Sequence, residues 1–415
     1  MFVACREIIG RLPMVGVRTM AKPSRWAILA IAAVTLLNVP RPLQAAAVPK
    51  RSLGEQKVLV VMARFPDVKP SLAVEAMQAK YFTRLDRYVR SISNGKTWVT
   101  GKATAWYTLP HPVARYSISA HNLKVDKDRV TQLIRDALNL ADAGHDLSSY
   151  SMVFISLGAR RKDYGMTGLC GYPGMLGWQA ELPIKTEKRG QAIPGGVAIF
   201  CEEAHVGVVF HDMAHILGGI ENRQRVVPCL YDHDLQGQPG PFRGYAQFYL
   251  VHLGYFDPMS CHMYQHDQPP PGICAWTKLR LGWVDPRAVA EVPRGASRTI
   301  VLAPLSGPGA GTQVIKLPLD ETTYYLVENR QALGPDASLP AHGVLISYCD
   351  DTVAECRRGA SPVKLVNANP SVPELKGAPF RPGARDTYQD ARRAVTIRIL
   401  AQKGDDYELA VSNGR

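Results

Sequence analysis

Residues 211 to 221 read HDMAHILGGIE, two histidines four positions apart followed by a Gly-Gly pair. At this spacing both imidazoles project from one face of a helix and can meet a single ion. Gly218 and Gly219 offer the left-handed conformation that ends a helix, so the chain can turn back and present Glu221 as a third ligand. Two histidines and a glutamate with a fourth position left for water are a catalytic zinc set. The pair by itself is a weak signal, because eleven histidines in 415 residues give about 0.3 such pairs by chance. The surrounding sequence has to supply the rest.

The first residues differ in kind from the remainder of the chain. From Met20 the chain runs MAKPSR, WAILAIAAVTLLNV and PRPLQAAAVPK, which is a basic stretch, an apolar stretch and a small-residue zone in the order of a secretory signal peptide. The apolar stretch of about 14 residues is short for a membrane span, which takes roughly 20. The expectation is therefore a leader over 1–47 starting at Met20, cleavage near Ala47, export, and no stable membrane span afterwards. Beyond the leader stand 43 basic and 35 acidic residues, a charge of +8. There is no zinc-finger spacing, arginine-rich helix or basic-aromatic motif, so nucleic acid is not an expected partner. Seven of the eight cysteines lie beyond the leader. An exported chain oxidises some of these, with Cys261 to Cys274 and Cys349 to Cys356 as short-loop pairs and Cys170 to Cys201 as a longer one. The odd count leaves one thiol over, and none has CxxC spacing.

Along the chain, QKVLVVMARF reads as a strand, 74–93 as an amphipathic helix, and SNGKTWVTGKATAWYTLP as strands with turns. A helix over 127–143 and a buried strand in SYSMVFISLGA come next. Residues 159–195, rich in Gly, Pro and charge, read as a long surface loop or cleft wall. GGVAIF is a short strand, AHVGVVFHDMAHIL a helix, and 222–275 is irregular. After a boundary near 287 come SRTIVLAP, TQVIKLPL, TTYYLVENRQ, GVLISY and AVTIRILA, strand-like segments that suggest a β-sandwich-like module or a strand-rich half packed on the catalytic one.

Several segments in chain order carry a resemblance: KVLVVMARFPDV, VTGKATAWYTLP, GVVFHDMAHILGGIE, FDPMS, CAWTKLRLGWV, YYLVENRQ and LPAHGVLISYCDD. Over roughly residues 56 to 350 they resemble the secreted zinc metallopeptidases typified by immune inhibitor A, with the third segment standing where that family has its HExxH helix. The resemblance implies an α/β (α+β) zincin-like metallopeptidase domain with an active-site helix over 48–287, then a β-rich module over 288–415. It implies Zn2+ on His211 and His215, Met259 as a turn methionine that packs beneath the ligands, and a protein or peptide as substrate. Two departures stand out. The family's general-base glutamate aligns with Asp212, and its Leu-Pro-Asp after the second glycine appears as Gly219-Ile220-Glu221. The extra NRQRVVPC before LYDHD leaves the third ligand open, with Glu221 preferred and Asp232, His233 and Asp234 as alternatives.

Asp212 decides the expected activity. Aspartate is shorter than glutamate by one methylene, so its oxygens retract by roughly 1.5 Å, while a base must come within about 2.6 to 3.2 Å of its proton. A misplacement of about 1 Å costs roughly a hundredfold in rate. Three expectations compete: a secreted zinc metalloendopeptidase with Asp212 as a less well-placed base, an impaired relative that binds zinc or polypeptide without turnover, and a secreted surface-binding module with no metal, in which the histidine pair is accidental. A longer Glu221 ligand that lets the ion sit nearer Asp212 would compensate. Tyr264 and His262, after the methionine turn, are candidates to stabilise a developing oxyanion. Glu202 and Glu203 read as first-turn acids that offset the helix dipole, and Trp106, Tyr107 and Trp283 as core aromatics.

Overall fold

The computed structural model describes residues 50–179, 182–235, 251–261, 269–307 and 311–414. The chain is mixed α/β with a β-rich C-terminal part. Its first half is built on six strands: β1 (Gly54–Arg64), β2 (Thr97–Ala103), β3 (Tyr107–Thr108), β4 (Met152–Leu157), β5 (Gly168–Tyr172) and β6 (Val197–Phe200). They lie in the order β2-β1-β4-β6-β5, with β3 also beside β1. β1 pairs in parallel with β2 and β4, β4 does so with β6, and β5 closes the edge antiparallel to β6. Val58 to Ala63 are fully buried. A central parallel strand covered on both faces explains why KVLVVMARF is a near-continuous apolar run instead of an alternation.

The helices are α1 (Val74–Ala79), α2 (Asp86–Ile92), the short α3 (Val113–Tyr116), α4 (Lys127–Asp142), the short α5 (Arg161–Tyr164), α6 (Val206–Gly218) and α7 (Ala275–Arg280). Leu59, Val61 and Ala63 of β1 pack with α4 on one face of the sheet, while Val58, Val60 and Met62 pack with α1, α2 and α6 on the other. The helix expected over 74–93 is present with a π-type turn, Lys80–Leu85, between α1 and α2. That turn carries Lys80 inward, where its ammonium donates to the Glu202 carbonyl. Among the described residues no helix is long and apolar enough to cross a membrane; the leader expected over 1–47 lies outside them.

The stretch 159–195, expected as a surface loop, contains the edge strand β5 and the buried side chains Leu169, Cys170, Tyr172, Leu182, Ile184 and Ile193. Its glycines resemble turn residues in the sequence but serve close packing in the fold. A Cβ on Gly168 would meet Val208 at 2.5 Å, and one on Gly171 would meet Ile134 at 2.7 Å.

Beyond residue 287 a five-stranded sheet runs β14-β13-β12-β11-β9, from β9 (Val289–Glu291), β11 (Val314–Pro318), β12 (Thr323–Arg330), β13 (Gly343–Asp350) and β14 (Val363–Leu365). A four-stranded sheet runs β10-β17-β16-β15, from β10 (Ala296–Leu302), β15 (Thr387–Asp390), β16 (Val395–Lys403) and β17 (Asp406–Asn413). Ile315, Leu317, Tyr325, Val327, Val344 and Ile346 meet Val395, Ile397, Leu409 and Val411 in one cluster, as in a sandwich. The alternate residues Val314, Leu326 and Cys349 face the other way, into the same cluster as α6 and α7. The apolar core is therefore continuous through residue 287.

On that inward face β12 also carries Glu328 and Arg330. The buried Arg330 guanidinium uses all five N–H groups. Nε and Nη2 donate to Asp336 at 2.9 and 2.6 Å, Nη1 to Glu328 at 2.9 Å and the Phe256 carbonyl at 3.0 Å, and Nη2 to the Gly272 carbonyl at 2.7 Å. The buried Asp257 carboxylate takes the backbone N–H groups of Met259 at 2.7 Å and Cys274 at 2.8 Å, and the Thr277 hydroxyl at 2.8 Å. The two clamps fasten the segment around Phe256 to Met259 against α7 and β12.

Removing the cation leaves two buried carboxylates without their counter-charge. Arg330→Met is expected to lower stability by about 3 to 5 kcal/mol, read from denaturant unfolding midpoints. A variant within about 0.5 kcal/mol of the parent would show that the clamp is dispensable.

Candidate metal centre

α6 is buried along its whole length, from Val206 to Gly218. A helix apolar on every side belongs in a core, so the polar residues His211, Asp212 and His215 are carried inside with it. His205 caps its start, accepting the Gly207 N–H on its ring at 3.1 Å. At its end Gly219 adopts φ 66°, and the chain reverses through Asn222 (φ 48°) and Arg223 (φ 62°). The hairpin so formed is β7 (Ile220–Glu221) with β8 (Gln224–Arg225). Its returning arm passes so close to the helix that a Cβ on Gly218 would stand 2.9 Å from the Val227 side chain and 3.0 Å from its nitrogen.

The returning arm completes a donor group. His215 Nδ1 donates to the Val227 carbonyl at 2.7 Å, and His211 Nδ1 to the Pro258 carbonyl at 2.9 Å. With both Nδ1 protons committed, each neutral ring presents a bare Nε2. Burial, the largest influence on each ring, lowers the proton affinity of both and so keeps them neutral. The two Nε2 atoms are 3.2 Å apart, and Cys229 Sγ stands 3.6 Å from one and 3.4 Å from the other. All three side chains are buried, and among the described residues they form the one His/Cys/acid group of three able to hold a metal ion.

The Cys229 thiol ionises more readily than an ordinary cysteine. Burial opposes its ionisation, yet Arg225 and His233, with further hydrogen bonding from Tyr231, outweigh it and hold the thiol below its usual range. Arg225 Nη2 lies 3.8 Å from Sγ and is tied to Glu355 at 2.7 Å. The loop between β13 and β14 supplies that glutamate and also grips the next turn of the cysteine segment. Arg357 pairs with Asp234 at 2.7 and 2.9 Å, and the Gly359 N–H donates to Asp232 at 2.5 Å.

Asp212 is buried beside this group without belonging to it. Its carboxylate lies against the edge strand, 2.9 Å from where a Cβ on Gly168 would stand. Burial pushes its carboxyl up to about 7, with Cys229 adding to the rise and His211 and Arg225 opposing it.

The structure brings His211 and His215 together as the spacing predicts, but Glu221 does not join them. The hairpin turns Glu221 to solvent, so compensation by a longer carboxylate ligand has no geometric basis. Asp232, His233 and Asp234 are outside the group too: Asp232 and Asp234 bind the loop after β13, and His233 Nδ1 lies 3.2 Å from the Asn122 amide nitrogen. Tyr264 and His262 lie outside the described residues. Met259 is fully buried, and its carbonyl takes the Leu230 N–H at 2.8 Å, next to Cys229. Glu202 and Glu203 precede the helix instead of lining its first turn; they accept backbone N–H groups of Ser71 and Arg161. Trp283 is a core aromatic, its indole N–H on the Ser52 carbonyl at 3.1 Å. The thiols of Cys170, Cys201, Cys274, Cys349 and Cys356 are free, so none of the three expected disulfides is formed.

Cys229 is the ligand that sequence reasoning misses. It lies 14 residues beyond His215, across a hairpin that hides the spacing, and in the sequence nothing separates it from the other cysteines of an exported chain. The odd cysteine count is the one signal pointing to it. No protein-family model matches the chain, and no curated protein matches it.

Cys229→Ala is expected to lose bound metal while Glu221→Gln keeps it, measured by elemental analysis of purified protein. Equal metal content in the two variants would overturn the donor set.

Proposed function

We propose that this chain is an exported zinc-dependent hydrolase of amide bonds in polypeptides, of the zincin-like class, with His211, His215 and Cys229 as ligands and Asp212 as the acid-base group. The observation that carries the reading is the spacing of the three donors. Tetrahedral zinc with bonds of about 2.05 Å to nitrogen and 2.3 Å to sulfur sets its ligands about 3.3 Å (N to N) and 3.6 Å (N to S) apart. The separations here are 3.2, 3.6 and 3.4 Å. Three protein ligands, with no fourth among the described residues, are the donor count of a catalytic site.

The mixed sheet, with its antiparallel edge strand beside the ligand helix, fits the zincin-like class. Further support comes from where the resembling segments meet. FDPMS supplies the Pro258 carbonyl to His211, CAWTKLRLGWV forms α7, and YYLVENRQ carries the Arg330 clamp. Export is carried by the leader over 1–47.

Zinc bound here supplies Lewis acidity toward water and toward a carbonyl oxygen. The chain's own residues do the rest. The Pro258 and Val227 carbonyls fix both histidine tautomers and ring orientations. Asp212 holds a proton and passes it on, in a dry site where a displaced charge is screened little.

A second reading has an observation in its favour. Asp212 and the three ligands are all buried, which suits a centre that binds metal without turnover.

The test is hydrolysis of an unstructured protein by the full chain, together with its metal content. The expected result is one equivalent of zinc, hydrolysis lost to a chelator and restored by zinc, none in His211→Ala, and a loss of about a hundredfold or more in Asp212→Asn. Zinc retained without hydrolysis would favour the second reading, and absence of metal would end both.

A further inference from the structure

Two buried arginines of this chain use their donors differently. Arg330 commits all five N–H groups to oxygens, whereas Arg225, also buried, leaves one end of its fork open. Nε and Nη2 of Arg225 both donate to the same oxygen of Glu355, at 3.2 and 2.7 Å. That contact takes up the side of the planar guanidinium, where one hydrogen on each of these nitrogens points the same way. The second Nη2 hydrogen lies on the end of the fork, and it faces the Cys229 sulfur at 3.8 Å. Nη1 carries a hydrogen on that same end, parallel to it. Among the described residues Nη1 has no hydrogen-bond partner, and it is not one of the buried side-chain atoms left unpaired, so it borders open space. One face of the guanidinium is covered by the ring of Trp178, itself 40% exposed, with Cζ 5.8 Å from the ring centroid. Glu355 alone completes the ion pair, so the free end serves no structural contact. It is aimed beside the converging His211, His215 and Cys229.

We propose that Arg225 is a catalytic residue whose free Nη1 N–H receives the carbonyl oxygen of the amide being cleaved and stabilises the negative charge that grows on it. This rests on the hydrolase reading above. As the water oxygen bonds to the carbonyl carbon, a water proton passes to the Asp212 carboxylate and the carbonyl π pair moves onto the oxygen facing Arg225. When the C–N bond breaks, that pair re-forms the carbonyl, the bonding pair leaves with nitrogen, and Asp212 returns its proton to the amine. A guanidinium keeps its own protons throughout, so Arg225 acts as a fixed donor and charge. In a dry site such a donor acts with little screening and needs no reorganisation as charge develops. Glu355 on one edge and Trp178 on one face hold it in that orientation.

The test compares the zinc-loaded full chain with Arg225→Lys, which keeps the positive charge but loses the end of the fork. Hydrolysis of an unstructured protein is expected to fall about 100- to 1000-fold in kcat, with KM changed little. Binding is read by calorimetry with two probes: a phosphinic peptide, which sets a tetrahedral anion at the place of the cleaved amide, and a peptide thiol, which has no oxygen there. The variant is expected to lose affinity for the phosphinic peptide by a factor similar to the loss in kcat, and to keep its affinity for the thiol. Equal losses for the two probes would mark Arg225 as structural and overturn the proposal. So would an active parent with Arg225→Lys unchanged in kcat, which leaves the hydrolase reading standing. A parent that hydrolyses nothing would remove that reading and the proposal together.

Discussion

Two imidazole nitrogens and a cysteine sulfur converge to within 3.2 to 3.6 Å in a buried interior, a group of donors that could hold a metal ion. Lone pairs so placed repel, and burial has removed the water that would screen them. A cation seated among them would turn this repulsion into binding energy. Much of the surrounding architecture serves to impose that convergence. The helix is buried throughout, its end is cut by glycines, and the hairpin returns at a distance only glycine permits.

The support extends well past the helix. Pro258, whose carbonyl orients His211, sits in a segment held by the Asp257 carboxylate and by Arg330 from the C-terminal sheet. Cys229 is fastened from another side by Glu355 and its neighbours on the loop between β13 and β14. The β-rich part is thus joined to the centre through buried charge as well as through apolar packing. Buried ions of this kind stabilise little in themselves, but breaking one partner is costly. They act as locks on geometry, and the geometry is what a metal site demands to within a few tenths of an ångström.

The period-2 and period-3.6 patterns make most of the regular elements legible. β1, α4, α6 and the strands from β10 to β13 track their apolar residues, because burial on one or both faces leaves a regular imprint. β5 is not legible, since Gly168 and Gly171 look like turn residues and their packing role depends on partners distant in sequence. The same limit governs the site. His211 and His215 are neighbours on one helix and can be read directly, whereas Cys229 reaches them through a hairpin with left-handed Asn222 and Arg223 that no periodicity encodes. Glu221 is attractive because it is near in sequence, and it fails because the hairpin turns it to solvent. Asp212 stands out in the sequence by its place beside His211, but its contact with β5 requires the fold.

The most direct measurement is X-ray absorption at the zinc edge of the purified full chain. The account requires one sulfur at about 2.3 Å and two imidazole nitrogens at about 2.0 to 2.1 Å. A first shell of nitrogen and oxygen without sulfur, or one with several sulfurs, would contradict it.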